Sequence, residues 1–247
     1  MKTLWLTILA LLLGFATQAQ TVLFTRSSAF TASGFDPTDY GTVALWTSPI
    51  VQGAGTVSQI NDYSGNSRHF TQADSSKQPT YSATALGGYP AFVSDGTNDE
   101  MTSPSWTLPN SGTLMIVFEK VSASSFERLF EHGSIELELG APGSGGAGYR
   151  LEIKGIAVET STNLGVVLVT VNFTTSGADW WINGVAQTSI VSSSARVASL
   201  SYLFRYVGGG YNGAWNLGDI VIWDGTLSTG NRTSAQTALG AAYGLTL

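Results

Sequence analysis

Two short stretches constrain this chain more than any other feature: GTLMIVFEK at 112–120 and GVVLVTVNF at 165–173. In the first, Leu114, Ile116 and Phe118 alternate with Met115 and Val117, so an extended backbone would carry apolar side chains on both faces. Such a strand must be covered on both sides, which requires a sheet with a layer above it and another below. Two neighbouring stretches behave differently. SIELELG puts Ile135, Leu137 and Leu139 on one face and Glu136 and Glu138 on the other, and YRLEIKG sets Tyr149, Leu151 and Ile153 opposite Arg150, Glu152 and Lys154. Joined by the glycine-rich APGSGGAG, they read as a hairpin whose charged residues meet across a solvated face.

The remaining pattern is consistent with a β protein. VALW at 43–46, VSQINDYSGNSRHFTQ at 57–72 and GDIVIWDG at 218–225 read as strands and turns. DWWINGVAQTS reads as a hairpin, because the pair Asn183-Gly184 tolerates the positive φ angles of a two-residue turn. Only the end has helical spacing: from Ser228 or Thr229, the residues Ala235, Ala238, Leu239, Ala242 and Tyr243 recur until Gly244 can cap the run. Many short strands and one terminal helix predict an all-β, antiparallel two-sheet sandwich with a short C-terminal helix.

The first twenty residues, MKTLWLTILALLLGFATQAQ, join Lys2 to an apolar run from Leu4 to Phe15 and then to small residues, the order of a secretory signal peptide cleaved after Ala19. The run is shorter than the roughly 20 residues a spanning helix needs, so no permanent membrane span is expected. Removing 1–19 leaves ten Lys and Arg against seventeen Asp and Glu. A net negative surface argues against nucleic acid and anionic membranes as partners. The absence of cysteine excludes disulfides, thiolate metal sites and thiol catalysis. Export without disulfides points to a bacterial or phage-associated extracellular protein. Residues 20–40 read as a lead-in segment, and 41–247 as one large domain.

In this order, the motifs DPTDYGTVALW, INDYSGNSRHFTQ, QPTYSATALGGYPAFVSDGTNDEM, GTLMIVFEK, WINGV and LGDIVIWDGTLS…LGAAYGL resemble the laminin-G-like jelly-roll domains of the concanavalin-A-like lectin and glucanase superfamily. The resemblance covers most of 36–245. It implies a curved jelly-roll sandwich, commonly secreted or at the cell surface, that binds glycans or proteins and sometimes serves as an accessory module. Fold alone does not give function.

Candidate chemistry follows from particular residues. An exposed tryptophan can stack on the apolar face of a sugar. Alternation in DWWING separates Trp180 from Trp181, and Trp181 is expected at the surface, with Trp106 in SPSWTLP as a second platform. Trp46, Trp215 and Trp223 are expected in the core. Enzymes of the resembled superfamily carry Glu-x-Asp-x-Glu on one strand. Here Glu136-Leu137-Glu138 lacks the aspartate and the third carboxylate, so a non-enzymatic module is expected, although two carboxylates on one face could in principle serve a retaining glycosidase. GSGGAG at 143–148 fits a dinucleotide fingerprint only formally, since a strand rather than a helix follows. His69 is expected to satisfy a loop hydrogen bond and His132 to end a strand.

The oxygen-rich SDGTNDE at 94–100 does not fit the helix-loop-helix calcium pattern and reads first as a turn. The resemblance implies another use: relatives hold calcium through loop Asp and Asn oxygens, which would make Asp95, Asn98 and Asp99 the ligands of the one cofactor considered. The leading expectation is therefore a secreted module for a glycan or other surface polymer. A structural, surface-appended or virion-associated protein with protein partners is the alternative, and a glycan hydrolase or lyase the third reading.

Overall fold

The computed structural model describes residues 35–49, 55–121, 127–132, 138–140, 149–153, 156–159, 165–191, 198–205 and 212–247. The signal-peptide reading of 1–19, the carboxylate of Glu136 and the glycine-rich 143–148 lie outside them.

Two antiparallel sheets form the sandwich. The larger runs through β15 (Val185–Ala186), β14 (Gly177–Ile182), β13 (Val166–Thr174), β8 (Gly112–Lys120), β18 (Trp215–Asp224), β6 (Tyr89–Val93), β5 (Thr80–Leu86) and β2 (Gly55–Thr56). To this path β1 (Val43–Thr47) adds on β18, and β16 (Ile190–Val191) on β14. The smaller sheet runs through β12 (Ile156–Glu159), β11 (Arg150–Ile153), β10 (Glu138–Gly140), β9 (Arg128–His132), β17 (Ser201–Leu203), β7 (Met101–Thr102), β4 (Phe70–Thr71) and β3 (Gln59–Ile60). The all-β class and the C-terminal helix predicted from the sequence are what the chain adopts.

The doubly apolar pattern of β8 has a direct counterpart in packing. Leu114, Ile116 and Phe118 enter the core between the sheets, with Val167, Val169, Val171 and Phe173 of β13 and with Phe70, Met101, Phe130, Leu151 and Leu203 of the smaller sheet. Met115 and Val117 enter a second core on the far side of the larger sheet, with Leu168, Val221 and Trp223. That second core is roofed by α1 (Thr229–Ala242), through Ala235, Leu239 and Tyr243, and by Phe35, which stacks on Tyr40. Phe35 to Tyr40, expected as a lead-in, are thus part of the packed unit, and the indole N–H of Trp223 donates to the Pro37 carbonyl at 2.8 Å.

Local chemistry sets the element ends. Asn183 and Gly184 have φ of 47° and 77° and close the β14–β15 hairpin, in which Ile182 faces Val185. Helix α1 starts at Ser228, whose hydroxyl accepts from the Asn231 amide. It stops in a reverse turn in which Leu245 N donates to Gly240 O and Gly244 N to Ala241 O, with Gly244 at φ 67°. The SGNSR turn closes off β1, which pairs with β18 alone. Asn66 Nδ2 donates to the carbonyls of Val43 and Ala44, Arg68 Nη1 to Ala44 O at 2.6 Å, and Tyr63 N to Trp46 O. Edge carbonyls that another chain could have paired are thereby occupied.

The roof is also fastened by a buried acid. β18 is irregular between Leu217 and Ile220, and there Asp219 is 1% exposed, accepting from Trp46 Nε1 at 3.2 Å and from the Tyr243 hydroxyl, with Ser48 also bonded to it. Burial pushes its carboxyl up to about 6, against the lowering effect of these bonds. Glycine at 218 is required for this contact, since a Cβ there would lie 2.9 Å from the Tyr243 ring.

Candidate functional site

A two-sheet sandwich has four sheet faces. Two form the core between the sheets, and the helix roofs a third. The outer face of the smaller sheet is the fourth, and its residues follow from register. Phe130, Leu203, Met101 and Leu151 point into the core, and Ser201 contacts the buried Trp106 and His132. Alternation turns Glu131, Tyr202, Thr102, Arg150 and Glu152 to the other face, where Glu131 at 1% and Glu152 at 8% exposure are covered and Tyr202, Thr102 and Arg150 are partly accessible. Pairing aligns Glu131 with Tyr202, Tyr202 with Thr102, Thr102 with Thr71 and Thr71 with Gln59, a polar row running across the sheet.

Charged groups on this face are matched. Arg150 is ion-paired with Glu152 and, at 3.5 Å, with Glu159. Glu100, just past the SDGTND turn, receives Arg205 and also Lys77 Nζ at 3.1 Å, and Gln72 Nε2 donates to its carbonyl at 3.1 Å. The guanidinium carbon of Arg205 lies 5.8 Å from the ring centre of the half-buried Tyr202. Of the two residues between them, Phe204 is fully buried at φ 62°. For a bulky residue this left-handed conformation costs on the order of 1–3 kcal/mol and persists only where its surroundings enforce it. Its amide donates to Leu129 O at 2.9 Å, which fixes the bend that brings Arg205 beside Tyr202.

The expected platforms fare differently. Trp180 is buried and Trp181 half-buried, but one face of the Trp181 ring is covered by Arg232 of α1, with the guanidinium carbon 3.8 Å from the ring centre. Trp106, expected as a second exposed platform, is instead a core residue at 7% exposure. Its indole N–H donates to Ser201 Oγ at 3.0 Å, Arg68 stacks over its ring at 4.1 Å, and His132 meets it edge-on. Trp46, Trp215 and Trp223 are buried.

The two histidines have structural surroundings. His69 Nδ1 accepts from the Asp62 amide at 2.9 Å. His132 ends β9, and its Nδ1 lies 2.8 Å from Ser201 Oγ. A serine and histidine so placed would interest an enzymologist, but both are at 0% exposure, out of reach of a substrate.

The SDGTNDE stretch is built as a turn. Asp95 Oδ1 accepts from the amides of Thr97 at 2.8 Å and Asn98 at 3.3 Å, and Asp99 Oδ2 accepts from Asp95 N at 2.8 Å. Burial pushes the Asp99 carboxyl up. Ser94 Oγ donates to Gly213 O at 2.6 Å and accepts from Trp215 N, so the turn anchors the start of β18. Asp95 Oδ1 and Asp99 Oδ2 thus serve the turn's own amides. Among the described residues no group of three His, Cys, Asp or Glu could hold a metal ion. Of the acidic pair, Glu138 is placed only by its backbone, opposite Glu152.

No protein-family model matches this chain, and no curated protein matches it. Solved structures do. A mutant GH54 α-L-arabinofuranosidase soaked with 4-nitrophenyl α-L-arabinofuranoside is similar at 14% identity and TM-score 0.59, over 76% of this chain and 51% of the enzyme. The ligand-binding domain of botulinum neurotoxin serotype D in complex with N-acetylneuraminic acid is similar at 14% identity and TM-score 0.56, over 81% of this chain and 51% of that one. Trypanosoma rangeli sialidase in complex with sialic acid is similar at 11% identity and TM-score 0.59, over 81% of this chain and 33% of that one. The chain thus spans a third to a half of the length of these structures, and at such identities the likeness is one of fold: a β-sandwich that recurs in proteins of larger size.

Proposed function

We propose that the chain is a secreted, non-enzymatic jelly-roll module of the laminin-G-like, concanavalin-A-like kind. In this reading it binds carbohydrate or another surface polymer on the outer face of the smaller sheet. The observation that carries the proposal is the contrast of faces: this one bears a polar row of accessible residues, Tyr202, Thr102, Thr71 and Gln59, with an aromatic among them, whereas the opposite outer face is roofed by apolar packing. Sugars suit such a surface, offering hydroxyls to polar side chains and an apolar face to a ring. The recurrence of the fold in carbohydrate-processing and sialic-acid-bound proteins supports the same reading. The non-enzymatic part is supported by the ion pairs of Glu100 and Glu152, in which each carboxylate is held by an arginine.

The test is a broad glycan array probed with the purified chain, with and without calcium. Binding to a defined set of glycans is expected, and no binding under either condition overturns the proposal. Release of reducing sugar that disappears in Glu136→Gln or Glu138→Gln would overturn the non-enzymatic part.

A second reading, a structural or virion-associated protein-interaction domain, is favoured by one observation. Val185 and Val191, at the edge of the larger sheet, are 65% and 81% exposed. Apolar edges of this kind suit strand pairing with another chain. A concentration-dependent mass in light scattering, abolished by Val185→Lys with Val191→Lys, would support it.

A further inference from the structure

Resting on the glycan reading above, we infer that the Tyr202–Arg205–Glu100 corner of the smaller sheet is the sugar subsite, and that it takes a neutral sugar with adjacent hydroxyls. Three independent features converge there. Tyr202 is half-buried in the outward polar row, so its ring is supported from below while part of it remains accessible. Arg205 stands beside that ring and is held by Glu100, which Lys77 also grips, with side-chain exposures of 26%, 14% and 41% respectively for Arg205, Glu100 and Lys77. The group is therefore open to solvent yet fixed in place. Third, the bend that sets Arg205 next to Tyr202 runs through the left-handed Phe204. That conformation lets the consecutive Leu203 and Phe204 both enter the core and leaves Arg205 outside it, beside Tyr202.

The chemistry of these groups selects the ligand. A pyranose or furanose ring has a face of C–H bonds, which an aromatic ring covers, and a rim of hydroxyls. The planar guanidinium carries five N–H donors in a fixed fork, and the carboxylate, with Oε1 on Lys77 and Oε2 on Arg205, keeps further lone pairs that can accept a hydroxyl. Charge then narrows the class. Arg205 and Lys77 already face Glu100, Glu131 lies across from Tyr202, and Arg150 is taken by Glu152 and Glu159. A sialate or uronate would have to compete with these carboxylates for the cations, whereas a neutral sugar can bond to the pairs as they stand.

The experiment is calorimetric titration of the full chain with neutral gluco-, xylo-, manno- and arabino-oligosaccharides, and in parallel with sialyllactose and oligogalacturonate. Binding of at least one neutral series is expected, with an affinity that changes less than about twofold between roughly 0.05 and 0.5 M salt. Tyr202→Ala and Arg205→Lys should each weaken it about tenfold or more, the lysine variant because it keeps the charge but loses the planar fork. Tyr202→Phe should retain most of the affinity, and the melting temperature of each variant shows whether it is folded. Preference for the acidic sugars, with affinity falling steeply as salt rises, overturns the neutral class. Neutral binding undiminished in folded Tyr202→Ala and Arg205→Lys overturns the subsite and leaves the glycan reading intact. No sugar bound by the unmodified chain overturns both.

Discussion

The two outer faces of this sandwich are made from the same alternating backbone and have opposite fates. On the larger sheet, outward Met115, Val117, Leu168 and Val221 are apolar and are sealed by Leu239, Ala235 and Tyr243 of the terminal helix. On the smaller sheet the outward positions are threonine, tyrosine, glutamate and arginine. The difference separates two tasks. One face completes the burial that a chain of low charge and no disulfide needs in order to be stable, and the other is left with polar chemistry that contributes little to stability. Stability and recognition should therefore respond to different substitutions.

The largest effect should come from opening the roof. Leu239→Ala removes a fully buried side chain and should cost about 3 kcal/mol in urea unfolding, with sugar binding by the remaining folded protein unchanged. Acidity should act next, chiefly on the roofed side. Asp219 has a folded value of about 6, above its ordinary 3.8, so the folded state takes up a proton more readily than the unfolded chain. Stability then falls as pH rises from about 4 through about 6, and the chain should be about 1 kcal/mol more stable at pH 5 than at pH 7. Asp99, also pushed up by burial, acts in the same direction. Asp219→Asn should remove most of the difference, and a slope that survives it would show that another group carries the effect.

Removing the helix cap by Ser228→Ala should cost about 1 kcal/mol, measured in the same unfolding assay. On the open face, Thr102→Ala should change stability by less than about 0.5 kcal/mol. The smallest effect expected is that of a chelator, which should leave the melting temperature unchanged to within about 1 °C. A fall of several degrees would return Asp95, Asn98 and Asp99 to consideration as ligands.

Much of the roofed side was legible in the sequence because its signals are local. The doubly apolar β8, the Asn183-Gly184 turn, and the helix bounded by Ser228 and Gly244 each rest on residues within one element. The open side was less legible. Trp106 lies in a proline-flanked loop that looks exposed, and it is buried by Arg68 and His132, 38 residues before and 26 after it in the chain. Tyr202 sits in a three-residue strand too short for alternation to assign its face, and the Glu100 that holds the nearby Arg205 lies 105 positions before that arginine. Asp219 looked like one more acid in a strand, because the irregularity that buries it is visible only once β1 and β6 share an edge of β18. For Trp181, alternation separated it from Trp180, but nothing nearby announced that Arg232 would cover its ring.

The position of β18 has a consequence in time. This strand pairs with β8, β6 and β1, and it is the last strand of the chain, with Trp223 opposite Val43 across 180 residues. Until Trp215–Asp224 has been synthesised, β8 lacks a neighbour on one side, and Met115 and Val117 have no cover. Chain growth at about 5–20 residues per second puts an interval of roughly 10 to 35 seconds between the making of the first strand and the arrival of its mate. The large sheet thus cannot close before Trp215–Asp224 has been made, however early its other strands appear.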